Sequence, residues 1–257
     1  MSITAQNIYQ NLEEVRRQAP LVHNITNYVA MNLTANALLA VGASPVMAHA
    51  PEEVDDMVNI ASALVINIGT LSGPWVQSMR KASLQAEKKG IPIVYDPVGA
   101  GATPYRTRTI RELIQAVAPT IVRGNASEIM AIADDKAKTK GVDSARILCN
   151  QQKCIVCVSG ETDYIVGQKS LAMVKNGHAL MPKVTGLGCT ASALCGAFAA
   201  VNPDYFAATA AAMAVMGITG EIAAEKAQGP ASMQMHFLDT LFTISSEDIQ
   251  KRLKITC

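Results

Sequence analysis

Aromatic side chains are scarce here, at 4% of the chain with a single tryptophan, and neither sign of charge dominates: the formal net charge is +1. A nucleic-acid binder needs clustered Lys and Arg, and a single-strand reader adds aromatic platforms between them. No such stripe occurs, so no nucleic-acid partner is expected. Metal-ligand spacing is missing as well. The four histidines, His23, His49, His178 and His236, are scattered, and no second cysteine pair completes a zinc site. The one suggestive spacing, Cys154-Ile-Val-Cys157, lies in the apolar run CIVCV, which reads as a buried strand. Residues three apart on a strand point to opposite faces, so these thiols read as small buried hydrophobes.

The first twenty residues, MSITAQNIYQNLEEVRRQAP, lack the apolar core of a signal peptide and form a polar-faced helical pattern ending at Pro20. Export is not expected, and the location read from this is cytoplasmic. The run from Tyr205 to Ala224 is long enough to cross a bilayer. It is built on Ala and Gly, however, and Glu221 and Glu225 close it, so a buried core helix is expected and no membrane partner.

What the chain does have is length and apolar content: 257 residues, 49% of them hydrophobic. That suffices for a sizeable core. Short β-branched runs alternate with helical patterns through the first 160 residues. Strands are expected at Val22–Ile25, Pro45–Ala48, Leu64–Ile68, Ile93–Tyr95, Thr120–Arg123 and Ile155–Val158. Helices are expected between them at Val29–Val41, Glu52–Ile60, Pro74–Lys89, Thr107–Val117, Ala126–Ala133 and Asp143–Asn150, with 134–142 a charged surface loop. This βαβα alternation predicts an α/β fold with a mostly parallel central sheet and helices on both faces. Asp163–Val166 and Leu171–Lys175, joined by Gly167-Gln168-Lys169, predict an antiparallel hairpin at the sheet edge. Only helices are expected beyond it. Without a linker, a repeat or a low-complexity segment, residues 1–257 read as a single domain.

In open α/β sheets ligands bind beyond the carboxyl ends of the strands. The residues there are polar or glycine: His23 to Asn27, Met47 to His49, Asn67 to Thr70, Asp96 to Gly101, Arg123 to Asn125, and Ser159-Gly160. The segment Gly186-Leu187-Gly188-Cys189, followed by an alanine-rich helical run, has the grammar of an anion-binding turn. Taken bare it also fits an ordinary turn. Asn125-Ala-Ser-Glu128 fits a capping box at least as well as a magnesium site. Asp96 fits a turn or a second carboxylate beside the ion. Arg123 fits a surface charge or a clamp on a transferring phosphoryl group. Asn24 and Asn27 fit a turn and a helix cap, and Met47 a core position. Together these pieces describe phosphoryl transfer more specifically than any one of them.

Five segments carry a family resemblance: PLVHNITNYVAMNLTANALLAVGASPVMAHA, LVINIGTL, YDPVGAGAT, IVRGNASEI and VTGLGCTASAL. In this order and spacing, from about Pro20 to Ala200, they resemble the hydroxyethylthiazole kinases of the ribokinase-like superfamily. The resemblance implies ATP-dependent phosphorylation of 4-methyl-5-(2-hydroxyethyl)thiazole in thiamine salvage. It implies a homotrimer with thiazole sites at the subunit interfaces. By position, Met47 and Gly186 contact the thiazole alcohol, with Asn27, Val29 and Gly69 as further pocket residues. Arg123, Ser159 and Gly188 serve ATP, and Asp96 with Glu128 serve Mg2+. Cys189 stands where many relatives in the superfamily carry an aspartate that takes the alcohol's proton. A thiol of pKa about 8.5, lowered at a helix N-terminus, is expected there. Its expected part is to orient the alcohol and assist proton removal late. A kinase for hydroxymethylpyrimidine or another small vitamin alcohol, and an ATP-dependent dehydratase, are the alternatives within the fold.

Overall fold

The structure, a computed structural model, describes residues 3–133 and 141–257. In chain order α1 (Ala5–Gln18) leads into β1 (Leu21–Ile25), α2 (Met31–Val41), β2 (Ser44–Val46), α3 (Val54–Ile60) and β3 (Ala63–Asn67). Next come α4 (Gly73–Lys89), β4 (Ile93–Asp96), α5 (Pro104–Ala116), β5 (Ile121–Asn125), α6 (Ala126–Ile132), α7 (Val142–Gln152) and β6 (Ile155–Ser159). The last third holds β7 (Asp163–Val166), β8 (Leu171–Val174), a short 3-10 turn, α8 (Leu187–Val201), α9 (Tyr205–Lys226), α10 (Pro230–Thr243), α11 (Ser246–Arg252) and β9 (Ile255–Thr256).

The strands form one continuous sheet in the order β2-β1-β3-β4-β5-β6-β7-β8-β9. The pairs from β2 to β6 are parallel and those from β6 to β9 antiparallel. The expected mostly parallel sheet with an antiparallel hairpin is therefore present. Two expectations at its margins are corrected. The chain does not end in helices alone, because β9 pairs with β8 through Met173↔Thr256 and becomes the edge in place of the hairpin. The second helix begins at Met31, not Val29, because the Asn27 side chain holds residues 28–30 in a turn by accepting from Ala30 N at 3.1 Å. The loop expected over 134–142 lies outside the described residues up to position 140.

Alternation along the central strands explains the apolar runs, since both faces are covered. Val65, Val94, Ile121 and Cys157 pack into one cluster with α1, α2, α8, α9 and α10. Leu64, Ile66, Tyr95, Val122 and Val156 pack into the other, with α3 to α7. Cys157 and Cys154 thus belong to opposite faces, as the strand reading required. Burial pushes the Cys154 and Cys195 thiols up to about 12 and raises Cys157 well above its ordinary value, so they are inert. The apolar helix α9 is mostly buried against this core.

Helix α8 crosses the middle of the sheet. A Cβ at Gly196 would stand 2.7 Å from Val65 Cγ2, so the missing side chain lets the helix lie directly on β3. That contact fixes where its N-terminus emerges. Strand order reverses between β1 and β3, and the α8 N-terminus emerges beside this switch point, where α/β sheets open a crevice.

Candidate active site

The glycine turn does open the helix. Gly186 takes φ +90°, a conformation L side chains rarely adopt, and Thr190 N makes the first helical bond, to Gly186 O at 2.8 Å. The N–H groups of Leu187, Gly188 and Cys189 precede that bond and have no intrahelical acceptor. Neither a side-chain cap nor an acidic residue occupies this first turn. Donors and the positive end of the helix dipole are left to an external anion.

One flank of the turn is braced by Arg123. Its guanidinium donates to Gly188 O at 2.9 Å and to Ser159 Oγ at 2.7 Å, joining β5, β6 and α8. It is therefore not the free surface charge that its position also allowed. A cavity of about 1020 Å3 extends from here, lined by Arg123, Ser159, Asn176, Gly186, Gly188 and Met213 among others. Its far wall is held by Asn176, which donates to Glu221 Oε1 and Arg252 O and accepts from Lys254 N.

The other flank is a chain of side-chain amides and carboxylate. Asn27 Nδ2 donates to Cys189 Sγ at 3.2 Å and to Asn67 Oδ1 at 2.9 Å. Asn67 Nδ2 donates to Asp96 Oδ2 at 2.8 Å, and Ser192 Oγ donates to the same oxygen at 2.8 Å. Asp96 Oδ2 is saturated by these two donors, while Oδ1 is buried without a partner. An orphaned carboxylate oxygen is the kind of group a hydrated divalent cation satisfies. Burial raises the Asp96 carboxyl to about 6 despite the nearby Arg123 charge and these hydrogen bonds, and Glu128 adds to the rise. A cation there would favour the ionised form.

Glu128 performs the capping role the motif allowed. Its Oε2 accepts from Asn125 N at 2.8 Å while Asn125 Oδ1 accepts from Glu128 N. It does more, since Oε1 accepts from Gly99 N at 2.9 Å, tying α6 to the loop after Asp96. Each oxygen keeps acceptor capacity for a water-mediated ion contact. Among the described residues no cluster of three or more His, Cys, Asp or Glu exists. Two carboxylates plus substrate phosphates are the usual protein share of a magnesium site, so the donor set fits.

The expectation of an acidified Cys189 is overturned. Burial and the Asp96 charge raise its pKa, and the hydrogen bonds from Asn27 and Asn67 with the Arg123 charge only offset this in part. The thiol is neutral at physiological pH, with its sulfur accepting from Asn27.

Gly69 joins this flank through close approach, since a Cβ there would lie 2.7 Å from Asn27 Nδ2. Its N–H donates to Asn67 Oδ1. Met47 follows β2 directly and is half-buried. Val29 stands apart: it is 72% exposed and Tyr28 beside it 64% exposed, so this edge of the site is open. Asn67 and Ser192 received no role from the sequence. The signals were an amide ending an apolar strand and a hydroxyl one turn beyond Cys189 in an alanine-rich helix.

Fold and site together define a class. The sheet matches that of a ribokinase-like superfamily protein from Enterococcus faecalis, with TM-score 0.73 at 12% identity over 96% of this chain and 95% of that one. An anion-binding helix end beside two carboxylates and an arginine is the equipment of a phosphoryl-transfer enzyme on that fold. The profile of the Hydroxyethylthiazole kinase family matches residues 12–247, and the chain belongs to that family. It is 58% identical to the hydroxyethylthiazole kinase of Syntrophus aciditrophicus, over 99% of this chain and 98% of that protein. The solved structure of a hydroxyethylthiazole kinase protein from Pyrococcus horikoshii superposes with TM-score 0.92 at 43% identity, covering 98% of each chain.

Proposed function

We propose that the protein transfers the γ-phosphoryl group of ATP to the hydroxyethyl side chain of 4-methyl-5-(2-hydroxyethyl)thiazole, a step of thiamine salvage. The observation that carries this reading is the position of Cys189. It lies in the uncapped first turn of α8 and is hydrogen-bonded to Asn27, between the Arg123-braced cavity and the Asn27–Asn67–Asp96 chain.

In this reading the nucleotide lies in the cavity, with Arg123, Ser159 and the Gly188 backbone on its phosphates. The N–H groups of Leu187, Gly188 and Cys189 stabilise charge on the transferring group. The alcohol lies against Asn27, Gly69, Met47, Val29 and Gly186, its hydroxyl facing Cys189. Being neutral, the thiol orients that hydroxyl but does not take its proton, which passes late to an oxygen of the transferred phosphoryl group or to solvent, as a loose transition state tolerates. Asp96 and Glu128 would hold Mg2+ through its water shell, where the ion would neutralise phosphate charge.

The open edge at Tyr28 and Val29 supports a homotrimer in which a second copy closes each thiazole site. The unbroken nine-stranded sheet supports a single domain, and the burial of α9 supports its reading as a core helix. The deciding experiment follows ADP release from magnesium-ATP with and without the thiazole alcohol, with the product identified by mass. Thiazole-dependent release matched by thiazole phosphate supports the reading. Equal release with hydroxymethylpyrimidine, or release without any alcohol, replaces it by another alcohol kinase or by a dehydratase.

A further inference from the structure

Arg106 sits in the first turn of α5, where the helix dipole disfavours a cation. Among the described residues it belongs to no ion pair. Its guanidinium instead caps main-chain carbonyls of two separate loops. Nη1 donates to Val98 O at 2.8 Å and Ile68 O at 3.3 Å, and Nη2 donates to Gly69 O at 2.8 Å. Gly99 is packed so closely that a Cβ there would lie 3.0 Å from Nη1, and its φ of +73° suits glycine.

The two loops belong to different halves of the site. Gly69 packs on Asn27, the partner of Cys189. Val98 and Gly99 follow Asp96, and Gly99 N donates to Glu128. We infer that Arg106 is a positioning residue that holds the acceptor-side loop after β3 in fixed register with the carboxylate-side loop after β4. A planar fork that reaches three carbonyls does this, whereas the single ammonium of lysine cannot span both loops equally. The inference deepens the proposed reaction and rests on it for its kinetic part only.

The test uses the whole chain as Arg106→Ala and Arg106→Lys. Amide hydrogen exchange is compared with the parent protein over 69–71 and 99–102, and over the interior of α5. Faster exchange in both loops by about tenfold or more, with the α5 interior unchanged, is the expected result. In turnover, Arg106→Ala should lose about 10- to 100-fold in kcat, the scale of an ångström-level misplacement. The KM for ATP should change less than about twofold, because the nucleotide cavity lies on the far side of α8. Added guanidinium ion should restore part of the loss in Arg106→Ala, and Arg106→Lys should fall between. Unchanged exchange in the two loops overturns the inference. So does acceleration spread through α5, which marks a merely structural role. If the parent protein fails to phosphorylate the thiazole, the proposed function fails, and exchange still decides the part played by Arg106.

Discussion

Asn67 donates to Asp96 through Nδ2 at 2.8 Å and accepts from Asn27 through Oδ1 at 2.9 Å, so one amide sets the orientation of groups on both sides of the reacting centre. Its polarity is fixed: turned over, it would face a donor with a donor and a carboxylate with an oxygen.

Asn67→Asp replaces the donor to Asp96 with a second carboxylate. Stability near pH 8 should fall by about 1–3 kcal/mol in urea unfolding, and much of the loss should return at pH 5 as the pair takes up a proton. Asn67→Ala should lose stability without that pH dependence. Equal pH profiles for the two variants would show that Asn67 does not face the Asp96 charge.

Cys189→Ser keeps a hydroxyl where the neutral thiol stands. Its kcat should remain within about tenfold of the parent, and Cys189→Ala should lose somewhat more, since in the proposed mechanism the helix end and a bound cation would carry most of the charge stabilisation. The KM for ATP should hold in both. A loss of three orders of magnitude or more in Cys189→Ser would make the thiol an obligatory base.

Arg123 makes its two contacts through separate nitrogens, which a lysine cannot match. Arg123→Lys should raise the KM for ATP about tenfold or lower kcat comparably, and Arg123→Met should abolish measurable turnover. An isotherm with a non-hydrolysable ATP analogue separates lost binding from lost chemistry. Unchanged nucleotide affinity and turnover in Arg123→Lys would remove the residue from the phosphate site.

His23 gives a stability signature. Its Nε2 contacts Ala48 O at 2.7 Å as the donor, which leaves Nδ1 buried without a partner. Burial lowers its pKa below 6.5, the backbone contact and the Glu53 charge opposing only in part. The folded state therefore refuses a proton that the unfolded chain accepts below about pH 6.5. The stability contributed by neutral His23 is complete above that pH. It falls as pH drops towards the folded pKa, by up to about 1.4 kcal/mol per pH unit. His23→Gln should lack this component, so the stability difference between parent and variant should narrow from pH 7.5 to 5.5. A constant difference would show that His23 takes up its proton equally in the folded and unfolded chain.

Strands β3, β4 and β6 were legible because each opens with an apolar run buried on both faces. The edge strand β9 was not, since two residues carry no periodicity and are made a strand only by pairing with Met173 and Val174. The start of α2 was misplaced because Asn27 acts at a distance of three residues through its side chain. Arg123, Asp96, Glu128 and the glycine turn could be singled out in the sequence because they end strands or start helices, where the fold exposes polar groups. The Cys189 titration could not be read in advance. It depends first on how deeply the thiol itself is buried and then on the Asp96 charge beside it, both properties of packing between β4 and α8. Arg106 left no motif, since its partners are carbonyls and any residue supplies those.

Helix α8 divides the site by its own width. In the proposed reading phosphate-donor handling lies towards β5, β6 and α9 and acceptor handling towards β1 and β3, with the first helical turn and Asp96 shared between them. Inheritance can therefore act on the two halves separately. On that reading, exchange of the few residues following β1, β2 and β3 would redirect the enzyme to another alcohol while the donor half passed on unaltered, so one frame would serve successive generations of acceptor.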